Sequence, residues 1–434
     1  MTRATDELDE LSMPTESQTV NQFRAPAMPL RETRISEPPA RSPVRSTSNG
    51  NGGHRPEFCR ESLKIILLGL SLTSSFANRH ATTYRGLVRE LTARGHRILF
   101  LERDRMPYAA HRDLPKPAHG RLALYSTLKQ LKERFTRAVQ DADLVIVGSG
   151  VEEGAAIGEW VTRIARGVAA FYDLETPVTL TNLSEADLDY LCASLIPRYH
   201  LYLSSVGGPI LDLLEKEFGS PMARPLYCSV DTNLYYPEAN PTKWDLGYLG
   251  AYAEDRQPGL DELLLEPARR SVKCRFTVAG SQYPKSIPWP KNVSRFNHLP
   301  PAKHRAFYTA QRFALNLTRE NMVEAGYSPG VRLFEAAACG IPIISDFWEG
   351  LDTFFTPGHE ILLSSSAEET LRHLREVKHP EARRIGARAR ARVLASHTAK
   401  HRALELETYA LDLLQVPNSP SGLPALKAVA SNRD

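Results

Sequence analysis

A chain of 434 residues with 24% charged and 42% hydrophobic side chains has material for two to three folded domains. Its 54 basic residues against 50 acidic ones leave a net charge of +4, which excludes a polybasic nucleic-acid protein, so no nucleic-acid partner is expected. No apolar run nears the roughly 20 residues that cross a bilayer, and Cys59, Cys192, Cys228, Cys274 and Cys339 form no CxxC or Cys/His cluster, so reduced thiols and no metal site are expected.

Residues 1–60 are punctuated by Pro14, Pro26, Pro29, Pro38, Pro39, Pro43 and Pro56 and hold few large apolar groups. Such a stretch buries too little to offset its ordering entropy, and a disordered tail is expected. The first residues are acidic and carry no apolar segment of signal-peptide type, which points to the cytoplasm.

Order is expected from Lys64. The run KIILLGL reads as a strand buried on both faces. A polar loop follows to His80. Tyr84, Leu87, Val88 and Leu91 then fall at helical spacing, with Gly95 as the stop, before a strand over Arg97–Leu101. This is a βαβ unit with a right-handed crossover. The pattern predicts a helix over Leu122–Val139, strands at Ala142–Val147 and Val168–Tyr172, and a helix over 154–166 between them. Short strands at Leu201–Ser204 and Arg224–Tyr227 flank a helix over Ile210–Glu217.

A second series follows Pro237, with strands at Leu246–Gly250, Arg275–Gly280, Phe313–Leu317, Pro342–Ser345 and Glu360–Leu363. Helices are expected from about Pro258, over Val331–Cys339, and from about Pro380 to Leu414. The division is a domain over 61–232, a second over 233–395, a terminal helix over 396–415 and a disordered end over 416–434. Two open parallel sheets place a ligand in the cleft between the carboxyl ends of their strands.

The stretch from Asn316 to Leu363 is the most informative. Gly326 and Gly330 precede the helix that starts at Val331, whose free N–H groups and positive dipole end suit a phosphate. Arg332 in its first turn adds a bidentate donor, and Glu335 one turn on can accept both hydroxyls of a ribose.

This stretch resembles the donor site of glycosyltransferases of the GT-B fold, and most of all the CgeB-like family. The likeness extends to RPLYCSVDTNLYYP (224–237), YDLETPVTL (172–180), LSSVGGPILDLLEKEFG (203–219) and HTAKHRALELETY (397–409), and so spans residues 64–412. It implies two Rossmann-like domains, the first for an acceptor and the second for a nucleotide-sugar donor. By position, Glu335 would bind the ribose; Gly330, Arg332, Gly250 and Arg256 would lie against the diphosphate; Asn316 and Arg319 would line the same pocket. Many retaining relatives carry a Glu eight positions before the ribose-binding one, where this sequence has Tyr327. Glu324 stands three residues out of register.

The acceptor half should supply a base. Asp173 and Glu175, after the strand ending at Tyr172, and His80, after the first strand, are the candidates. Asp173 also suits a cap on the turn that follows. Tyr327 and Trp348 read equally as packing or sugar-stacking groups, and Cys339 as core. The run Arg383, Arg384, Arg388, Arg390 and Arg392 reads as a solvated helix face, with contact to an anionic membrane surface as the other reading.

The expectation is a glycosyltransferase that moves a sugar from a nucleoside-diphosphate donor to a hydroxyl acceptor. It needs no cofactor beyond that donor, because arginines and a helix dipole can stabilise the leaving diphosphate without a metal. A metal-dependent enzyme would show a DxD facing the diphosphate, and Asp187-Leu188-Asp189 falls in an apparent helix of the other domain. The alternatives are a non-catalytic nucleotide-sugar binder, to which Tyr327 points, and a sugar-nucleotide epimerase. A dinucleotide oxidoreductase lacks GxGxxG after the Lys64 strand.

Overall fold

The computed structural model describes residues 62–76, 78, 80–183, 188–297 and 299–415. The tails expected over 1–60 and 416–434, with Cys59 and Asp187, lie outside these.

Two parallel sheets organise the described residues. The first has seven strands: β1 (Lys64–Leu68), β2 (Arg97–Arg103), β3 (Arg121–Tyr125), β4 (Leu144–Gly148), β5 (Val168–Asp173), β6 (Leu201–Ser204) and β7 (Ala223–Pro225). Their order is β3-β2-β1-β4-β5-β6-β7. Ile66 and Leu68 pack on one face with Val145, Val147 and Phe171. Ile65 and Leu67 pack on the other with Ile146, Ala170 and Tyr172. Burial of both faces is why these strands read as continuous apolar runs.

The second sheet has six strands: β8 (Trp244–Leu249), β9 (Phe276–Ala279), β10 (Val293–Phe296), β11 (Gln311–Asn316), β12 (Ile343–Ser345) and β13 (Leu362–Leu363), in the order β10-β9-β8-β11-β12-β13. The strand order reverses between β8 and β11, so the loops leaving them part and open a crevice.

The expected helix over Leu122–Val139 is two elements. Residues 121–125 form β3, paired in register from Leu99↔Arg121 to Arg103↔Tyr125. The helix starts only at Leu128, after Thr127, whose side chain accepts from Gln130 N. Leu124, Leu128 and Leu131 fit helical spacing, but Ser126-Thr127 breaks the run with a cap. Asp187-Leu188-Asp189 is likewise no helix where described: Leu188 bridges Leu191, and Asp189 accepts from Glu153 N at 2.9 Å.

The chain crosses between the halves twice. Val230 N donates to His397 O at 3.1 Å, and Ala399 N to Val230 O at 3.3 Å. The helix Ala399–Gln415 then returns to the first half, burying Ala403, Leu406 and Ala410 beside Leu87 and Leu91. Glu407 anchors it through an ion pair with Arg94. Along the helix His379–Ser396, Arg384 and Arg388 pair with Glu381, Arg392 pairs with Glu360, and Arg390 donates to Ala338 O. Among the described residues no helix is long and apolar enough to cross a membrane.

Candidate active site

A cavity of about 340 Å³ lies between the strand ends of the two sheets. His80, Thr83, Leu174, Glu175 and Ser205 line it from the first half. Gly250, Arg256, Asn316, Thr318, Arg319, Ser328, Gly330 and Arg332 line it from the second. This is the cleft expected from two facing sheets, and its second wall is the crevice between the β8 and β11 loops.

On that wall the helix Val331–Ala338 begins with Gly330 as N-cap, at φ −75° and ψ 143°. A Cβ on Gly330 would meet nothing nearer than Asn316 Oδ1 at 3.9 Å, so the helix N-terminus opens to the cavity. Three guanidiniums converge there. Arg332 donates to Glu335 Oε2 and, at 3.2 Å, meets His304 Nδ1. Arg319 Nε lies 3.2 Å from Asp255 Oδ2. Arg256 donates to Ala251 O at 3.0 Å, while its Nε is buried without a partner among the described residues. Asn316 is fixed by its amide donating to Ser345 Oγ at 3.0 Å. Beside it Asp346 accepts from Thr318 N and Oγ1, both at 2.9 Å, and burial pushes its carboxyl up against these bonds.

On the facing wall His80 Nε2 stands 3.4 Å from Glu175 Oε1, and His80 Nδ1 is buried without a partner among the described residues. The two reach the cavity from different loops, after β1 and after β5.

Of the eleven candidate side chains, Asp173, Tyr327 and Glu335 do not line the cavity. Asp173 is fully buried: Oδ2 accepts from Tyr202 at 2.6 Å, and Oδ1 from Thr179 at 2.9 Å and from Glu175 N at 3.1 Å. Burial pushes its carboxyl up, against the hydrogen bonds that favour the ion. Its side chain points back into the sheet layer, so it holds Glu175 rather than facing an acceptor. This corrects the expectation that it faces the cleft.

Glu335 is 3% exposed, and its Oε2 accepts from Arg332 and, at 3.2 Å, from Tyr308. Arg332 stands between it and the cavity.

Tyr327 is an interdomain contact. It takes φ 44°, its N donates to Glu349 O at 2.6 Å, and its carbonyl accepts from Gly207 N of the first half at 3.1 Å. Its ring fits between Gly208 and Gly350, where added Cβ atoms would come within 2.2 and 2.4 Å of it. Trp348 and Cys339 are core, at 1% and 2% exposure.

Residues not singled out from sequence also meet here. Cys228, from the crossing segment, lines the cavity and donates to Pro329 O at 3.1 Å. Asn321 lines it with Oδ1 buried and without a partner among the described residues. The Ser328-Pro329-Gly330 turn was the available signal for this loop. A second cavity of about 330 Å³ flanks the other side of the helix His80–Ala93, where Arg85 pairs with Asp113 and Arg89 with Asp231. Among the described residues no three His, Cys, Asp or Glu side chains are grouped to hold a metal ion.

Residues 256–408 match the family model described as glycosyl transferase-like. No curated protein sequence matches the chain. Among solved structures, sucrose-phosphate synthase from Thermosynechococcus elongatus superposes with a TM-score of 0.60 at 16% identity, over 81% of this chain and 99% of that one. Anabaena Alr3699/HepE in complex with UDP-glucose gives 0.60 at 14% identity, over 81% and 100%. A glycosyltransferase from Rickettsia africae gives 0.59 at 11% identity, over 83% and 100%. The fold is therefore the GT-B arrangement of two parallel-sheet α/β domains, and the match to the glycosyl transferase-like family model falls in its second half.

Proposed function

We propose that the protein is a glycosyltransferase that moves a sugar from a nucleoside-diphosphate donor to a hydroxyl acceptor in the cleft between the sheets. One observation carries this: a helix N-terminus and three arginines face a histidine–carboxylate pair across one cavity. The diphosphate would lie against the Gly330–Arg332 amides with Arg256 and Arg319 beside it, and Asn316 would line the floor. Arg332, on turning to the diphosphate, would uncover Glu335 for the ribose.

In the reaction the bond from the sugar's anomeric carbon to the diphosphate breaks, and a bond to the acceptor oxygen forms. The acceptor proton passes to the His80–Glu175 pair. The leaving diphosphate takes up negative charge where guanidiniums and the helix dipole already point, so neither a metal nor another cofactor is needed in this reading. The Anabaena and Escherichia coli neighbours, solved with UDP-glucose and UDP-2-fluoro glucose, make UDP-sugars the first donors to try. The order of motifs supports the CgeB-like family, and the composition supports action in the cytoplasm. Peripheral contact with an anionic membrane surface has little support, because Arg384 and Arg388 pair with Glu381, Arg392 pairs with Glu360 and Arg390 donates to Ala338 O.

Tyr327 favours one rival. Its ring serves the contact between halves, so the carboxylate that retaining relatives place there is missing, as it would be in a binder without turnover. Titration calorimetry with nucleoside diphosphates and a donor-hydrolysis assay separate the readings. Binding with release of free sugar supports the enzyme. Binding without turnover across acceptors supports the binder, and no nucleotide binding removes both.

A further inference from the structure

We propose that Glu102, a buried carboxylate at the end of β2, is a positioning residue that sets the distance from His80 to Glu175, acting through Asn78. The inference rests on the proposed role of the His80–Glu175 pair.

Glu102 has no exposed surface. Its carboxylate accepts from Ser71 Oγ at 2.8 Å, Leu72 N at 2.7 Å, Thr73 N at 3.0 Å and Thr73 Oγ1 at 2.5 Å. All four donors belong to the loop that leaves β1 toward the cleft, and all are neutral. An ion in this setting carries a large desolvation penalty, which its hydrogen bonds offset only if the loop holds one geometry. An apolar side chain of the same volume would leave these four buried donors without this acceptor. What the carboxylate adds is a fixed loop shape.

Asn78 relays that shape. Its amide donates to Ser71 O and Ser74 O, both at 3.0 Å, within the loop that Glu102 holds. Its Oδ1 accepts from His80 N at 3.0 Å, at the first residue of the helix His80–Ala93. Hydrogen bonds at Ser71 and Asn78 thus link Glu102 to the backbone of His80. At the end of this link His80 Nε2 stands 3.4 Å from Glu175 Oε1, near the long limit of a hydrogen bond. A shift of a few tenths of an ångström there makes or breaks proton transfer. On the other side Asp173 fixes Glu175 through its backbone N–H, at 3.1 Å. Each member of the pair thus has a buried carboxylate behind it.

The test uses Glu102→Gln in the full chain. The expected result is a fall in donor-hydrolysis kcat of about tenfold or more, a displaced acid limb of the pH–rate profile and an unchanged Kd for UDP. In a His80→Ala background the same substitution should cost nothing further, because its effect runs through that ring. An equal loss in both backgrounds overturns the proposal, as does an unchanged kcat and pH profile. A readout without turnover keeps it separate from the functional reading: the His80 imidazole titration followed by NMR should move in Glu102→Gln. A static midpoint overturns the proposal even if the wild type proves inactive, and a moved midpoint in an inactive wild type leaves it standing while the enzyme reading fails. Should Glu102→Gln not fold, Asn78→Ala is expected to give the same pattern and is judged by the same outcomes.

Discussion

In the first half of the molecule the loops at the strand ends bring an imidazole and a carboxylate to the cleft. In the second half, loops at the equivalent strand ends bring three guanidiniums and a helix N-terminus. The means of support differ as well. Glu175 is held from behind by the buried Asp173, whereas Arg319 and Arg332 are held from the side by Asp255 and Glu335. Arg256 keeps a buried Nε without a partner among the described residues, which leaves donor capacity on this wall for an anion. In the proposed reaction one wall would take a proton and the other negative charge, although both stand on the same parallel-sheet scaffold. The chemistry thus resides in loop residues, and the scaffold fixes only where they meet.

That division is broken most directly at Glu175. Glu175→Gln should reduce turnover by roughly 10²–10⁴-fold, the range for a lost general base, and leave the affinity for a nucleoside diphosphate unchanged. A turnover assay with parallel calorimetry reads both. A loss of nucleotide affinity would show that the first wall also holds the donor.

The next largest effect concerns how the halves are joined. The side chains of Arg94 and Glu407 are 10% and 6% exposed, and they pin the terminal helix to the first half. Glu407→Ala leaves a buried guanidinium unpaired, a change that typically costs about 3–5 kcal/mol. Urea unfolding should show a loss of unfolding free energy of that size. A loss below about 1 kcal/mol, the range of exposed pairs, would mean that this ion pair does not hold the helix in place.

The contrast is sharpened at Glu335. Its replacement by alanine should weaken nucleoside-diphosphate binding by roughly 1–3 kcal/mol, as for a lost hydrogen bond to a charged group. Calorimetry on the folded variant decides this, and unchanged affinity would leave Glu335 as an ion-pair partner of Arg332 only.

The two sheets were legible because strands buried on both faces announce themselves as apolar runs. Of the edge strands, β3 and β10 were not. In β10 only Val293 is buried, and Ser294, Arg295 and Phe296 are exposed, so nothing in VSRF stands out. The helix Ala367–Glu376 was also passed over, although Ser366 and Glu369 form a capping pair in which Ser366 Oγ accepts from Glu369 N. The guanidinium wall could be found because glycines, arginines and a helix start lie close together in sequence. The carboxylates could not be ranked. Asp173 and Glu175 are two residues apart, and only the fold decides which faces the cavity. Glu102 reads as an ordinary strand-end acid, because its partners lie some thirty positions away.

The smallest predicted effect tests the crossing between the halves by pH. His397 stacks on Phe334 with ring centroids 4.7 Å apart, and its Nδ1 accepts from Arg402 at 2.9 Å. Burial first, then the positive charges of Arg402, His401 and Arg392, lowers its pKa to about 3. The unfolded chain titrates near the ordinary histidine value of about 6.5 and so binds more protons than the native state between the two. Stability from this group is therefore complete above about pH 6.5 and is lost as the pH falls toward 3, by at most about 1.4 kcal/mol per pH unit. Between about pH 7.5 and 5.5 that is on the order of 1 kcal/mol. His397→Gln keeps an acceptor for Arg402 without a titrating ring, so its urea midpoint should fall less over that interval than the wild type's. An identical fall in both would move the effect to His401, which burial also lowers, and would detach the crossing segment from the acid sensitivity of the fold.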